Sequence, residues 1–227
     1  MRVRFGSSLR QLARGFCAIA LGAIVTGCSH FESASYIQYG ELLSQVWNQP
    51  SRKISYESAS LVPYASIGVE VGDGGQVLLV LTTALPHEHL WTSPSHIVVV
   101  TRKGRIVGTA GLARNLTDLA YSGAASPQSA LQHPGMPQHF IADFADLQAY
   151  SVPVTCVPQP AKSERITILG HVLSTLRVKE RCHAPSLHWD FTDSFWLDPN
   201  TGLTWQSRQH IQPHFPAVTI QLFRPVG

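Results

Sequence analysis

Ala65-Ser66-Ile67-Gly68-Val69-Glu70-Val71-Gly72-Asp73-Gly74-Gly75-Gln76-Val77-Leu78-Leu79-Val80-Leu81 is the stretch that decides the fold. Ala65, Ile67, Val69 and Val71 alternate with Ser66, Gly68 and Glu70. A period of two with one apolar set is the pattern of a strand that buries one face. Gly72 to Gly75 supplies residues that tolerate positive φ, and Val77 to Leu81 returns as a buried strand, so the segment reads as a β-hairpin. The glycines do not make a phosphate loop. A nucleotide fingerprint needs strand, turn and helix, whereas these glycines join two strands.

The hairpin repeats downstream. His96 to Thr101 forms an outgoing strand, Lys103-Gly104 a turn, and Arg105 to Thr109 a return. The basic cluster Arg102-Lys103-Gly104-Arg105 reads as a solvated tip. Asn115 to Leu119 reads as a loop or one helical turn. Ser122 to Pro137, rich in Ser, Ala, Gln and Pro, reads as an exposed loop. Strand character resumes over Tyr150 to Val157 and Arg165 to Arg181. An aromatic-rich segment with Trp189, Phe191, Phe195 and Trp196 then leads into the turn Asp198-Pro199-Asn200-Thr201-Gly202. Leu203 to Gln209 and Val218 to Phe223 complete the strands. The convincing helix lies near the start, where Tyr36, Tyr39, Leu43 and Val46 form a stripe within Ser33 to Trp47, ahead of Pro50. The expected fold class is all-β, mainly antiparallel, as a barrel or strongly curved sheet, with one N-terminal helix. Residues 51–227 are expected to form a single β-rich periplasmic domain.

The N-terminus says where the domain goes. Arg2, Arg4, Arg10 and Arg14 precede an uncharged run from Gly15 to Thr26 that is too short to span a bilayer but suits a secretory leader. It ends in Val25-Thr26-Gly27-Cys28, which resembles a bacterial lipobox. On that resemblance residues 1–27 are a cleaved signal peptide. Cys28 is lipidated, and residues 28–50 carry the lipidated terminus and the amphipathic helix. Two or more acyl chains hold a protein durably to a membrane where one holds it weakly. Ser29, which is not the aspartate associated with inner-membrane retention, is expected to direct the protein to the outer membrane.

Loss of the leader also changes the charge. The whole chain has 17 Lys+Arg and 14 Asp+Glu, but four of the arginines lie in the leader, so 13 basic residues face 14 acidic ones in the mature chain. The basicity therefore belongs to targeting, and nucleic acid is not an expected partner. With Cys17 removed and Cys28 acylated, Cys156 and Cys182 are left. In an oxidising compartment they read as a disulfide, with two separate buried thiols as the alternative.

Candidate chemistry is sparse. His87-Glu88-His89 is the tightest of the histidine groups, but beside Pro86 it reads as a polar loop rather than a zinc site. No metal, cofactor or catalytic residue is expected. No Gly-x-Ser-x-Gly elbow accompanies the histidines. Asp190, Asp193 and Asp198 could offer the paired carboxylates of glycoside cleavage, although Asp198 is better explained by the turn it opens. Trp91, Trp189, Trp196 and Trp205 are the candidates for contact with a glycan or a partner, set against plain packing in a β core.

Three ordered segments add a family resemblance. Leu61-Val62-Pro63-Tyr64-Ala65-Ser66 comes first, then Val98 through Val107, then Phe195-Trp196-Leu197-Asp198 through Gln206-Ser207-Arg208-Gln209 to Phe215-Pro216. Behind a lipobox, they resemble the YjbF/GfcB-type lipoproteins of group 4 capsule and exopolysaccharide gene clusters. The resemblance implies a mostly β, barrel-like fold and a non-catalytic role in making or exporting surface polysaccharide. It also implies two partners, an outer-membrane β-barrel and a periplasmic protein of the same cluster. Two other functions are left open by the residues: a periplasmic lipid or acyl carrier, which needs an open apolar groove, and a polysaccharide-modifying hydrolase, which needs convergent carboxylates.

Overall fold

The computed structural model of the chain describes residues 53–121 and 125–226. The leader, Cys28 and the helix expected over Ser33 to Trp47 lie outside the described residues. Within them, thirteen strands form one antiparallel sheet.

The opening hairpin is as its alternation requires: β1 (Ser66–Val71) pairs with β2 (Val77–Ala84). The meander continues through β3 (His89–Thr92), β4 (Val98–Arg102) and β5 (Arg105–Ala110). On the other side of β1 lie β13 (Val218–Arg224), β12 (Thr204–Gln209), β11 (Trp189–Leu197) and β10 (His171–Ala184). The far end of β10 pairs with β8 (Ala149–Pro158), followed by β7 (Gln138–Phe144) and β6 (Asp118–Tyr121). The two ends of this path approach each other. The amide of Thr109 on β5 donates to the carbonyl of Leu116, just ahead of β6, at 2.8 Å, and the amide of Leu116 donates back to Thr109 Oγ1 at 2.9 Å. The sheet is thus a nearly closed barrel, which leaves little unpaired edge at its seam.

The inner face follows the period of two. On β10, Val178, Glu180, Cys182 and Ala184 lie opposite Phe195, Asp193, Phe191 and Trp189 of β11. Cys156 of β8 lies opposite Cys182. Ile67, Val69, Leu79, Trp91, Val99, Phe140, Val154 and Val218 belong to the same core. A smaller cluster lies outside the barrel wall, where helix α1 (Tyr56–Ser60) brings Ala59 against Ile54, Val62 and Leu78. Ser55 caps α1 by accepting from the amide of Ser58.

Three segments differ from the sequence expectation. Ser122 to Pro137 is not simply an exposed loop: Ser126 caps helix α2 (Pro127–Gln132), which has proline in its first turn and a fully buried Ala130. Six residues are too few to display a helical period, so only the Ser-Pro start signals it. The long strand Arg165 to Arg181 is two strands, β9 (Lys162–Ile168) and β10, turning through Leu169 and Gly170 at positive φ. Asp118 begins strand β6 rather than ending a loop.

Candidate functional site

The inner face carries one group of charges that hydrophobic patterning does not explain. Arg105 opens β5 directly after the Lys103-Gly104 turn, and Glu180 sits in the core phase of β10. Arg105 Nη2 lies 2.8 and 2.7 Å from the two Glu180 carboxylate oxygens. The two side chains are 3% and 0% exposed. The Arg105 guanidinium also lies between the rings of Phe140 and Phe195, 4.6 and 4.9 Å from their centroids. Arg105, read as part of a solvated tip, is therefore inside the barrel.

Neighbouring polar groups surround this pair without bonding it, and Arg105 Nε is buried with no partner among the described residues. Gln209 of β12 accepts from the amide of Ile106 at 2.9 Å and donates to the carbonyl of Gly104 at 2.9 Å, stitching β12 to β5 across the interior. Asp193, in register with Glu180, accepts from the amide of His210 at 2.8 Å and lies 3.1 Å from its Nδ1. Burial pushes the Glu180 carboxyl above its ordinary value; Arg105 opposes that shift and the Asp193 charge adds to it. The cavity beside Arg105, Asp193, Gln209 and His210 holds about 30 Å³, roughly the space of one water. An acyl chain does not fit in that cavity. The group acts as an internal brace.

The other sequence candidates fall around this brace. Cys156 and Cys182 are disulfide-bonded across β8 and β10, with 4.0 Å between their Cα atoms. Their sulfurs and a Glu180 oxygen lie together. The sulfurs are spent in the bond and the carboxylate is held by Arg105, so these three do not form a ligand set for a cation. Trp91 is buried and its Nε1 donates to Thr101 Oγ1 at 2.8 Å. Trp196 is buried too, donating to Glu164 Oε1 at 3.1 Å. Neither ring is available to a glycan, because each is part of the packing. Trp189 is half-buried and stacks on Phe191 with centroids 3.9 Å apart. Trp205 is half-buried, with Nε1 3.4 Å from Asp198 Oδ2.

The acidic candidates do not converge. Asp190 is on the outer face of β11 beside His183, and Asp193 is on the inner face beside His210. They cannot flank one bond as glycoside cleavage requires. Asp198 serves its turn, accepting from the amides of Asn200 and Thr201, and these bonds hold its carboxyl below the ordinary value. His89 is part-buried, which lowers its pKa, and its ring meets Trp91 edge-on.

An open concavity of the surface lies elsewhere, where part of the His87-Glu88-His89 group meets the Arg102-Lys103 side of the basic hairpin tip. It is a cleft of about 490 Å³ lined by Leu85, His87, Glu88, Arg102, Lys103, Tyr121 and Ser126 among the described residues. Glu88 ends the turn after β2, where its carbonyl accepts from the amide of Leu85 at 2.8 Å. Its carboxylate is ion-paired with the Arg102 guanidinium, which also lies over the Tyr121 ring at 4.8 Å. Lys103 stands exposed at the hairpin tip. The one sequence signal for the interior site was Glu180 itself, a charge in step with Val178, Cys182 and Ala184. Tyr121 had none, because its strand is four residues long and its neighbours across the cleft come from distant segments.

Comparison with known proteins agrees with this architecture. The chain is 22% identical over 205 residues to the uncharacterized lipoprotein GfcB of Escherichia coli K12, covering 88% of this chain and 94% of that protein. The crystal structure of the hypothetical lipoprotein YmcC from the same organism superposes with a TM-score of 0.72 at 21% identity, over 86% of this chain and 98% of that one. At that identity the superposition speaks for the fold, and the fold is shared nearly end to end. The family model described as "Group 4 capsule polysaccharide lipoprotein gfcB, YjbF" matches residues 39–223, which includes both charged sites described above and every strand but the last residue of β13, and the chain belongs to that family.

Proposed function

We propose that this chain is an outer-membrane lipoprotein, anchored through an acylated Cys28 and facing the periplasm, that assists the production or export of capsule or exopolysaccharide without catalysing a reaction. The observation that carries this reading is the family match over residues 39–223, to lipoproteins of the group 4 capsule. The lipobox ending at Cys28 supports the anchor, and Ser29 supports the outer membrane as its address. The separation of Asp190 and Asp193 onto opposite faces of β11 weighs against a hydrolase. A lipid tether raises the local concentration of a domain beside its membrane partners. In this reading those partners are an outer-membrane β-barrel and a periplasmic protein of the same cluster.

The test is genetic. A clean deletion strain is expected to lose or alter its surface polysaccharide, and a wild-type copy is expected to restore it. A Cys28→Ala copy, which cannot take the lipid, is expected to fail. Unchanged amount, length and display of polysaccharide in the deletion strain would overturn the reading.

A further inference from the structure

We infer that the cleft between the β4–β5 hairpin tip, the β2–β3 turn and the start of α2 is a binding site for an acidic saccharide. The saccharide's carboxylate would be received by Lys103 and Arg102, and a hydroxyl by Ser126. The inference rests on the polysaccharide reading above for the word saccharide, and on the cleft itself for the word acidic.

Two walls of the cleft, the hairpin tip and α2, are held before any ligand arrives. Lys103 and Gly104 have φ of 52° and 85°, the two positive values that a tight two-residue hairpin turn demands. The tip is also clamped from outside. Lys103's carbonyl accepts from Thr204 Oγ1 at 3.3 Å, and a Cβ on Gly104 would come within 2.5 Å of Thr204. Opposite, Gln128 of α2 donates to the carbonyl of Gly202 at 2.9 Å. Gly202 lies in the β11–β12 turn and Thr204 opens β12, so one hairpin braces both walls. A site held in this way spends little ordering entropy on binding.

The lining then selects the ligand. Its volume of about 490 Å³ lies in the range of small-molecule sites, roughly 300–1,000 Å³. Arg102 and Lys103 are its cations and Glu88 its carboxylate. Because Glu88 occupies one edge of the Arg102 guanidinium, Lys103 has no acidic partner from the lining. An incoming carboxylate meets Lys103 directly and approaches the guanidinium at its remaining donors. Tyr121 lies under the Arg102 guanidinium and meets Phe140 edge-on at 5.5 Å, so it seats Arg102 at the cleft rather than offering a ring face of its own. The buried Ser126 hydroxyl accepts from the amide of Ser129 and keeps its own proton for a ligand oxygen. Two cations in a cleft of this size suit one charged sugar unit, not the long phosphate run of a nucleic acid.

The experiment is calorimetric titration of the lipidated mature protein in detergent with trigalacturonate, using maltotriose as the neutral probe and inorganic phosphate as the bare anion. Trigalacturonate is expected to bind with Kd below about 1 mM, and to bind more weakly as salt rises. Lys103→Gln is expected to weaken it about tenfold and to lessen its salt dependence. No binding of trigalacturonate would overturn the site. So would maltotriose or phosphate binding as tightly as trigalacturonate, the first by removing the charge and the second by removing the sugar. The deletion strain separates this result from the functional reading. Lys103-dependent trigalacturonate binding with unchanged surface polysaccharide would leave the site standing and remove the function; altered polysaccharide without such binding would do the reverse.

Discussion

Two Arg–Glu pairs lie at the ends of one hairpin turn, three residues apart in sequence, and they do opposite things. Arg105 points inward to Glu180, where both side chains are essentially sealed from solvent. Arg102 points outward to Glu88, with side chains 28% and 31% exposed. The chemistry is the same and the surroundings are not. A buried pair must recover the cost of stripping water from two ions, so its worth depends on keeping both partners. A half-exposed pair contributes about 0–1 kcal/mol and is screened by salt. The inner pair therefore holds the barrel together, whereas the outer pair can be rearranged by a ligand at little cost to the fold.

The largest effect is expected from breaking the inner pair. Arg105→Ala leaves Glu180 among Phe140, Phe195 and the disulfide without its partner, and should destabilise by about 3–5 kcal/mol. Replacing both ions by apolar residues of similar size, Arg105→Met with Glu180→Leu, should recover most of that loss. Urea denaturation reads both. A single variant that loses less than about 1 kcal/mol would place the inner pair in the same class as the outer one and end the contrast.

Next in size is the disulfide, which ties β8 to β10 two register pairs along from Glu180. It closes a segment with a sequence separation of 26, and its removal by Cys156→Ala with Cys182→Ala should cost about 2–4 kcal/mol. The matched prediction is that reduction of the wild type gives the same loss. If reductant leaves the urea midpoint in place while the double variant shifts it, the alanines act through lost packing and the bond itself contributes nothing.

The contrast also marks how far the sequence could be read. The hairpins were legible because their strands alternate or run apolar between Gly-rich turns, as Ser66–Val71 and Val77–Ala84 do. β9 and β10 fused into one apparent strand because Leu169-Gly170 is a weak turn signal inside a Val, Ile, Leu and Thr run. The tryptophans were legible as a set but not one by one. Trp91 and Trp196 are buried while Trp189 and Trp205 are half-exposed, and that choice depends on which strands face each across the barrel. Arg105 was misread for the same reason. A residue beside a turn is usually solvated, and only the approach of β10 and β12 to β5 makes this one internal. The cleft was legible only in pieces, as the His87-Glu88-His89 group and the basic hairpin tip, since its residues come from segments that meet only after the barrel closes.

The pH dependence of the inner pair is a smaller effect with a definite sign. Glu180's folded pKa is raised above the ordinary 4.5 by burial, against the pull of Arg105. Below 4.5 the carboxyl is protonated in both folded and unfolded chains, and its contribution to stability is fully present. As pH rises through the raised folded value, the unfolded chain gives up the proton more readily, so that contribution is lost. Thermal melts from pH 4.5 upward should therefore show a declining component in the wild type that Glu180→Gln removes. An identical slope in the two proteins would mean that Glu180 is not the titrating group.

The smallest effect on stability should come from the outer pair, and it carries the most information about function. Glu88→Gln removes the carboxylate from Arg102 while keeping an amide of the same shape. Its carbonyl still accepts from Leu85, so the β2–β3 turn is retained. The expected loss is within about 1 kcal/mol, fading as salt is raised. If the cleft receives an acidic saccharide, the same change should tighten trigalacturonate binding, because it frees a guanidinium edge and removes the like charge that the ligand must approach. Arg102→Gln should weaken binding, again at small cost to stability. Opposite signs in binding, with near-equal and minor changes in the urea midpoint, distinguish a ligand-responsive pair from a structural one. A Glu88→Gln variant as unstable as Arg105→Ala, or one that binds no better than the wild type, would erase the functional half of the comparison.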